Sequence, residues 1–165
     1  MVRIIRAHSQ EHFHHARRLF RQYADSLEFD LEFQGFRQEL ASLPGDYAPP
    51  AGSLLLAESS GNYVGCVALR PLTATICEMK RLFVAPEYRG QHIGRELARS
   101  VIDAARRSGY EYMRLDTVDS MTEARALYRS LGFRAIEAYC YNPLENPMYM
   151  ELDLRAQIAS KQHAR

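Results

Sequence analysis

Between an apolar run ending at Val84 and an amphipathic stretch that starts near Ile93, the chain reads "APEYRGQHIG", residues 85–94. These residue types at this spacing suit the capture of an anion. A helix start leaves four backbone N–H groups without partners and carries roughly half a positive charge. Glycines at Gly90 and Gly94 remove side chains where backbone must approach a ligand, and Arg89 adds a cation beside it. A pyrophosphate fits this environment. A glycine pair alone equally suits a plain strand-to-helix turn, but the tightness of "YRGQHIG" directly after an apolar strand favours the anion. His8, His12 and His15 have a spacing that could gather a metal. They sit at the edge of a helical apolar stripe, no other candidate ligand points to them, and a solvated face explains them, so no metal is expected.

The elements that position this turn follow from period. "VRIIRA" reads as a strand, and Ser9 caps a helix whose apolar side is Phe13, Ala16, Phe20, Tyr23 and Leu27. A weaker helix covers Phe36 to Ser42 and ends at "LPGDYAPPAG". "SLLLAES" and "YVGCVALR" flank the turn "SGN" as a hairpin, and "TICEMKRLFV" is a longer third strand. The helix after the glycine turn spans about Gln91 to Ser108, with Ile93, Leu97, Ala98, Val101, Ile102 and Ala105 on one face and Gly109 at its end. "YEYMRLDTV" is a strand, "TEARALYRSL" a short helix, "FRAIEAYCY" a strand, and "PMYMELDL" the strand that closes the sheet. This order predicts an α+β fold: a mixed, mostly antiparallel sheet with one parallel crossover around the central helix.

Composition bounds the function. The 165 residues suffice for one core, and 47% hydrophobic with 25% charged residues is ordinary for a soluble globular chain. Net charge is +1; of 21 basic side chains lysine supplies two, Lys80 and Lys161, and arginines supply the rest without a compact run. Nucleic acid is therefore not an expected partner. Cys66, Cys77 and Cys140 each lie in a stretch that reads as strand and are expected to be reduced core residues. The start "MVRIIRAHSQ" lacks the apolar core of a signal peptide and no run is long enough to span a membrane, so a cytoplasmic location is expected. Residues 1–154 are expected to form a single domain and 155–165 a loose tail.

"LFVAPEYRGQHIGREL" resembles the acyl-CoA binding motif of the GNAT N-acetyltransferase superfamily, whose pattern is Arg or Gln, two residues, Gly, one residue, then Gly or Ala. Arg89, Gly90, Gln91, Ile93 and Gly94 fit; His92 stands where the family usually has glycine. "ALYRSLGF" resembles the family's second signature, and the likeness in element order runs from about residue 2 to 154. The resemblance implies a GNAT-like sheet with a splayed parallel pair, helices on both faces, and acetyl-CoA as acyl donor. It implies that the pantetheine arm enters the splay and bonds the backbone of Leu82, Phe83 and Val84, while the turn from Arg89 through Arg95 takes the pyrophosphate. Met121 stands where many relatives have an asparagine on the pantetheine arm.

Acetyl transfer to an amine needs a neutral nucleophile, and a lysine-like amine has a pKa of about 10.4. By resemblance Glu78, six residues before Val84, stands where some relatives carry a general base. A carboxylate near pKa 4.3 needs burial or a water relay for that task. Glu78 is equally suited to an ion pair with Lys80 or an arginine across the sheet. Tyr128 matches the tyrosine that the family aims at the departing thiolate. Full proton transfer from a phenol to a thiolate is uphill by about 2 kcal/mol, so a hydrogen bond to the developing sulfur charge is the expected role. The oxyanion donor is expected to be a backbone N–H near Leu82.

Two segments are candidates for the acceptor side by resemblance. "LEFDLEF" alternates Phe29, Leu31 and Phe33 with Glu28, Asp30 and Glu32, an acidic edge that suits a cationic amine or simply faces water. "YCYNPLENPMY" brings Tyr139, Tyr141, Asn142 and Tyr149 around a turn. The three cysteines match no nucleophile position, which argues against a covalent enzyme intermediate. The expected activity is transfer of acetyl from acetyl-CoA to a primary amine of a small molecule or peptide by direct attack. Another acyl chain, an oxygen acceptor, or a CoA-binding sensor domain are the alternatives. Pairing through an edge strand makes a homodimer an expected assembly.

Overall fold

A computed structural model describes residues 1–155; the expected tail beyond Arg155 lies outside the described residues. The strands are β1 (Val2–Arg6), β2 (Ser53–Ser59), β3 (Asn62–Pro71), β4 (Ile76–Val84), β5 (Tyr112–Val118), β6 (Arg134–Ile136) and β7 (Pro147–Asp153). The helices are α1 (Gln10–Ser26), α2 (Phe36–Ala41), α3 (Ile93–Arg107) and α4 (Thr122–Ser130). The order is the one the periodicity predicts. Ser9 caps α1 by accepting from the His12 amide at 3.1 Å, which satisfies one orphan donor of the first turn. No helix among the described residues is long and apolar enough to cross a membrane.

The strands form one seven-stranded sheet ordered β1-β2-β3-β4-β5-β7-β6, antiparallel except for β4 beside β5. The final strand therefore does not close the sheet at its edge; β7 inserts between β5 and β6. Two cores sit on opposite faces of this sheet. Leu97, Ala98, Val101 and Ala105 of α3 pack with Val67, Met113 and Leu152 on one face. Phe13, Ala16, Leu19 and Phe20 of α1 pack with Leu54, Leu56, Cys66 and Ala68 on the other. Each helix buries an apolar stripe against its face of the sheet.

Two departures from a regular ladder shape the centre. Cys66 faces Phe83 and Ala68 faces Lys80, so Val67 opposes both Arg81 and Leu82. The extra residue is a bulge with Arg81 in the left-handed region at φ 63°. On the other side, β4 pairs with β5 only from Ile76 to Glu78, while β5 continues along β7 to Val118. From Met79 to Val84 the β5-facing edge of β4 has no strand neighbour, and the sheet opens.

Candidate active site

The glycine turn stands at the mouth of that opening. α3 starts at Ile93, two residues later than its periodicity suggests, because His92 takes a left-handed conformation at φ 64° and acts as the N-cap without a side-chain hydrogen bond. Histidine tolerates this region better than most residues, and its side chain is exposed rather than folded into the turn. The first helical bond runs from the Glu96 amide to the His92 carbonyl at 3.1 Å. Among the described residues the amides of residues 90–95 have no protein acceptor. A Cβ built on Gly94 would meet only Val84 Cγ2, at 3.7 Å, so packing within the protein does not demand this glycine. Arg89 bends back, its Nε donating to the Val84 carbonyl at 2.9 Å with its guanidinium 5.6 Å from the Phe83 ring centre.

These features share one cavity of about 730 Å³, lined by Leu82, Phe83 and Val84, by Arg89, Gly90, His92, Ile93, Gly94 and Arg95, and by Tyr23, Met121 and Leu127 across from them. Bare amides, a glycine with spare room and an unpaired strand edge converge there. That set fits a diphosphate followed by an amide-bearing arm. Of the turn residues, Gln91 is exposed and does not line the cavity.

Deeper in the opening is a chamber of about 50 Å³ bounded by Tyr23, Gln34, Lys80, Leu82, Asp116 and Tyr128. Tyr23, Leu82 and Met121 line both spaces, so the two meet there. Tyr128 packs against Phe133 with ring centres 5.7 Å apart and is 8% exposed. Burial, then the neighbouring Tyr23 and Asp116, push its hydroxyl above the ordinary phenol range.

Glu78 is 1% exposed. Its Oε1 accepts from Arg70 Nε at 2.7 Å and its Oε2 from the Tyr139 hydroxyl at 2.6 Å. Lys80 Nζ lies 3.9 Å from the same Oε1 and donates to Gln34 Oε1 at 3.1 Å. Burial pulls the Lys80 ammonium below its ordinary range, and Glu78 opposes that shift. Asp116, on β5 across the opening, accepts from Asn142 Nδ2 at 3.1 Å and from Cys140 Sγ at 3.8 Å. Single acceptor atoms of Glu78, Asp116 and Cys140 fall within 4.8 Å of one another.

The expected strand "FRAIEAYCY" stops at Ile136, because β6 pairs with β7 only as far as Tyr149. The chain then leaves the sheet, and Tyr139 and Asn142 reach back over Glu78 and Asp116. Cys140 is correspondingly exposed in this loop, whereas Cys66 and Cys77 are buried as expected. In "LEFDLEF", Leu31 is buried while Glu28, Asp30 and Glu32 are exposed, and Asp30 accepts from the Glu32 amide as a local cap. His8 contacts the His12 ring, and His12 and His15 each contact the Tyr63 ring.

Sequence reasoning singled out Glu78 and Tyr128, yet it passed over Lys80 and Asp116 as part of the site and took Tyr23 only as a stripe residue. A partial signal is present: Lys80 and Asp116 are charges within strand runs, and Lys80 is the one lysine among the described residues.

Comparison with known proteins places this geometry. The sequence profile of the Acetyltransferase (GNAT) family matches residues 7–133. An uncharacterized N-acetyltransferase of Schizosaccharomyces pombe is 41% identical over 138 residues, covering 82% of this chain and 85% of that protein. The crystal structure of a GNAT-family acetyltransferase from Staphylococcus aureus Mu50 superimposes with a TM-score of 0.78 at 22% identity, covering 93% of this chain and 99% of the other. A GNAT-family acetyltransferase from Elizabethkingia anophelis, solved with acetyl-CoA bound, gives a TM-score of 0.67 at 22% identity over 92% of this chain and 97% of its own.

Proposed function

The chain belongs to the GNAT acetyltransferase family and is an N-acetyltransferase, and from that premise we propose that it moves acetyl from acetyl-CoA to a primary amine by direct attack. The observation that carries this reading is the row of unengaged amides at residues 90–95, opening without interruption toward the unpaired edge of β4. Acetyl-CoA supplies a thioester whose carbonyl carbon is the electrophile. The amides of the turn hold its diphosphate, Arg89 and Arg95 add positive charge, and the backbone of Leu82, Phe83 and Val84 hydrogen-bonds the pantetheine arm. His92 is compatible with that grip because its side chain is exposed.

The chain's own groups handle charge and protons. The backbone N–H of Leu82, on the bulged strand, donates to the oxygen that becomes negative during attack. The Tyr128 hydroxyl, kept protonated by burial, donates a hydrogen bond to the departing sulfur. Glu78 is the proton sink: as the Tyr139 oxygen takes a proton from the incoming ammonium, its own proton passes along the 2.6 Å bond to Glu78 Oε2. No thiol is prepared as a competing nucleophile. Burial raises the Cys66 thiol, raises Cys77 to about 12, and with Asp116 raises Cys140 to about 11, all opposite to an activated cysteine.

The test is a thermal-shift titration with acetyl-CoA followed by an amine panel scored for released thiol. At a hundred times the dissociation constant, binding contributes about 2.7 kcal/mol, a rise of roughly 5–11 °C for a chain of this size. No shift with acetyl-CoA, or a shift without thiol release from any amine, overturns the proposal.

A further inference from the structure

The charges around the inner chamber do not balance in pairs, and this imbalance has a chemical complement. Arg81, which lines the chamber, and Arg70 and Arg114 on the neighbouring strands β3 and β5 each have a carboxylate of their own: Arg70 with Glu78 at 2.7 Å, Arg81 with Glu39 at 2.8 Å, Arg114 with Glu151 at 2.8 Å. Lys80 does not. Its side chain is 9% exposed, and the nearest carboxylate oxygen, 3.9 Å away on Glu78, already accepts from Arg70. The other oxygen of Glu78 is taken by Tyr139. The remaining partner of Lys80 is the neutral Gln34 amide. Across the chamber Asp116 is bonded by an amide and a thiol, and no cationic side chain among the described residues lies within 4 Å of it. A buried cation left this way, facing the half-buried Asp116, is costly, and a ligand that completes both binds preferentially.

Resting on the transferase reading above, we infer that the acceptor is a compact zwitterion, an amino acid or an amine with a carboxylate on the neighbouring carbon. Lys80 takes its carboxylate, and Asp116 takes its amine. The arrangement Arg70, Lys80, Glu78 and Asp116 sums to zero formal charge, so a zwitterion enters without adding net charge, whereas a simple ammonium satisfies Asp116 and leaves Lys80 as it was. The chamber of about 50 Å³ holds a small head group and little else, since each water-sized group needs about 10–15 Å³ of such space. Gln34 also lines a second cavity of about 300 Å³ with Gln38, Pro44, Tyr47 and Arg70, which offers space for the acceptor's remaining atoms. Burial lowers the affinity of Lys80 for its proton, and Glu78 and Asp116 only oppose that shift; an incoming carboxylate adds to their side.

The experiment is calorimetric titration of the protein saturated with CoA, using each standard amino acid and the amine that lacks its carboxylate. Thiol release with acetyl-CoA is measured on the same pairs. At least one amino acid is expected to bind about tenfold or more tighter than its decarboxylated partner. Lys80→Met is expected to erase that ratio with CoA affinity unchanged, the simple amine gaining affinity because the site then carries a net negative charge and the amino acid losing it; Asp116→Asn weakens both members of the pair. Equal or tighter binding of the simple amines to the unaltered protein overturns the inference, as does a preference that survives in folded Lys80→Met. Turnover of simple amines without a carboxylate preference sinks the zwitterion alone and leaves the transferase reading standing. Absence of thiol release from every compound sinks the transferase reading, and the binding ratio still decides the site.

Discussion

Tyr128 combines a packing position with its proposed part in the chemistry. Its ring belongs to the core beneath α3, and its hydroxyl borders the chamber beside Leu82. Because burial pushes that hydroxyl up, it stays protonated through the usable pH range, and no alkaline limb of the rate profile is expected from it. A hydrogen bond to a charged group contributes about 1.5–3 kcal/mol, so Tyr128→Phe is expected to lower kcat roughly tenfold to a hundredfold with CoA affinity unchanged. A wild-type kcat in that variant would remove Tyr128 from the reaction. Glu78 needs a subtler test, because Glu78→Gln also breaks the contact with Arg70 and a folding defect would confuse the result. Tyr139→Phe leaves the 2.7 Å pair with Arg70 intact and deletes only the proposed relay. It is expected to lower kcat/KM most at low pH, where more of the acceptor arrives protonated, with the melting temperature within a few degrees of wild type. A uniform loss across pH would argue that Tyr139 positions the acceptor and relays nothing.

At the scale of elements, the turn before α3 was legible because its chemistry is local: two glycines, an arginine and a helix start occupy adjacent positions, and the apolar stripe of α3 announces the helix. The loop of residues 137–146 was not legible. Alternating "FRAIEAYCY" favours a strand, but β7 offers partners only to Arg134, Ala135 and Ile136, and the carboxylates that Tyr139 and Asn142 bond, the buried Glu78 and the half-buried Asp116, lie more than twenty residues away in sequence. Long-range anchoring outweighs local propensity there. Lys80 and Asp116 were missed for a related reason, since the parting of β4 from β5 that brings them to one chamber leaves no periodic trace. Gly94→Ala tests the local half of this account. Its added methyl meets ordinary contact with Val84 at 3.7 Å, so the apo protein is expected to melt within about 0.5 kcal/mol of wild type. The same methyl intrudes on the proposed diphosphate site, so acetyl-CoA affinity is expected to fall at least tenfold. Unchanged affinity by calorimetry would detach the turn from the donor site.

Across the whole molecule, the strand that parts from β5 carries a bulge whose left-handed residue, Arg81, is gripped by a buried ion pair. Arg81 sits at φ 63°, a conformation that costs a non-glycine residue about 1–2 kcal/mol, and its side chain is 2% exposed. Glu39 of α2 grips it through two hydrogen bonds of 2.9 and 2.8 Å, and the Phe36 ring lies 5.1 Å below the guanidinium. The helix on one face is thereby tied to the strand whose free edge is the proposed seat of the donor. Removing one partner of a buried pair costs about 3–5 kcal/mol, because the other charge is left desolvated. Glu39→Ala is therefore expected to lower the melting temperature by roughly 6–20 °C, and acetyl-CoA affinity is expected to fall with it as the bulge relaxes. The control is Glu58→Ala at the surface pair with Arg3, whose side chain is 70% exposed and whose loss costs at most about 1 kcal/mol. Equal melting temperatures for the two variants would show that the bulge holds its shape without α2, and that the opening is a property of the sheet alone.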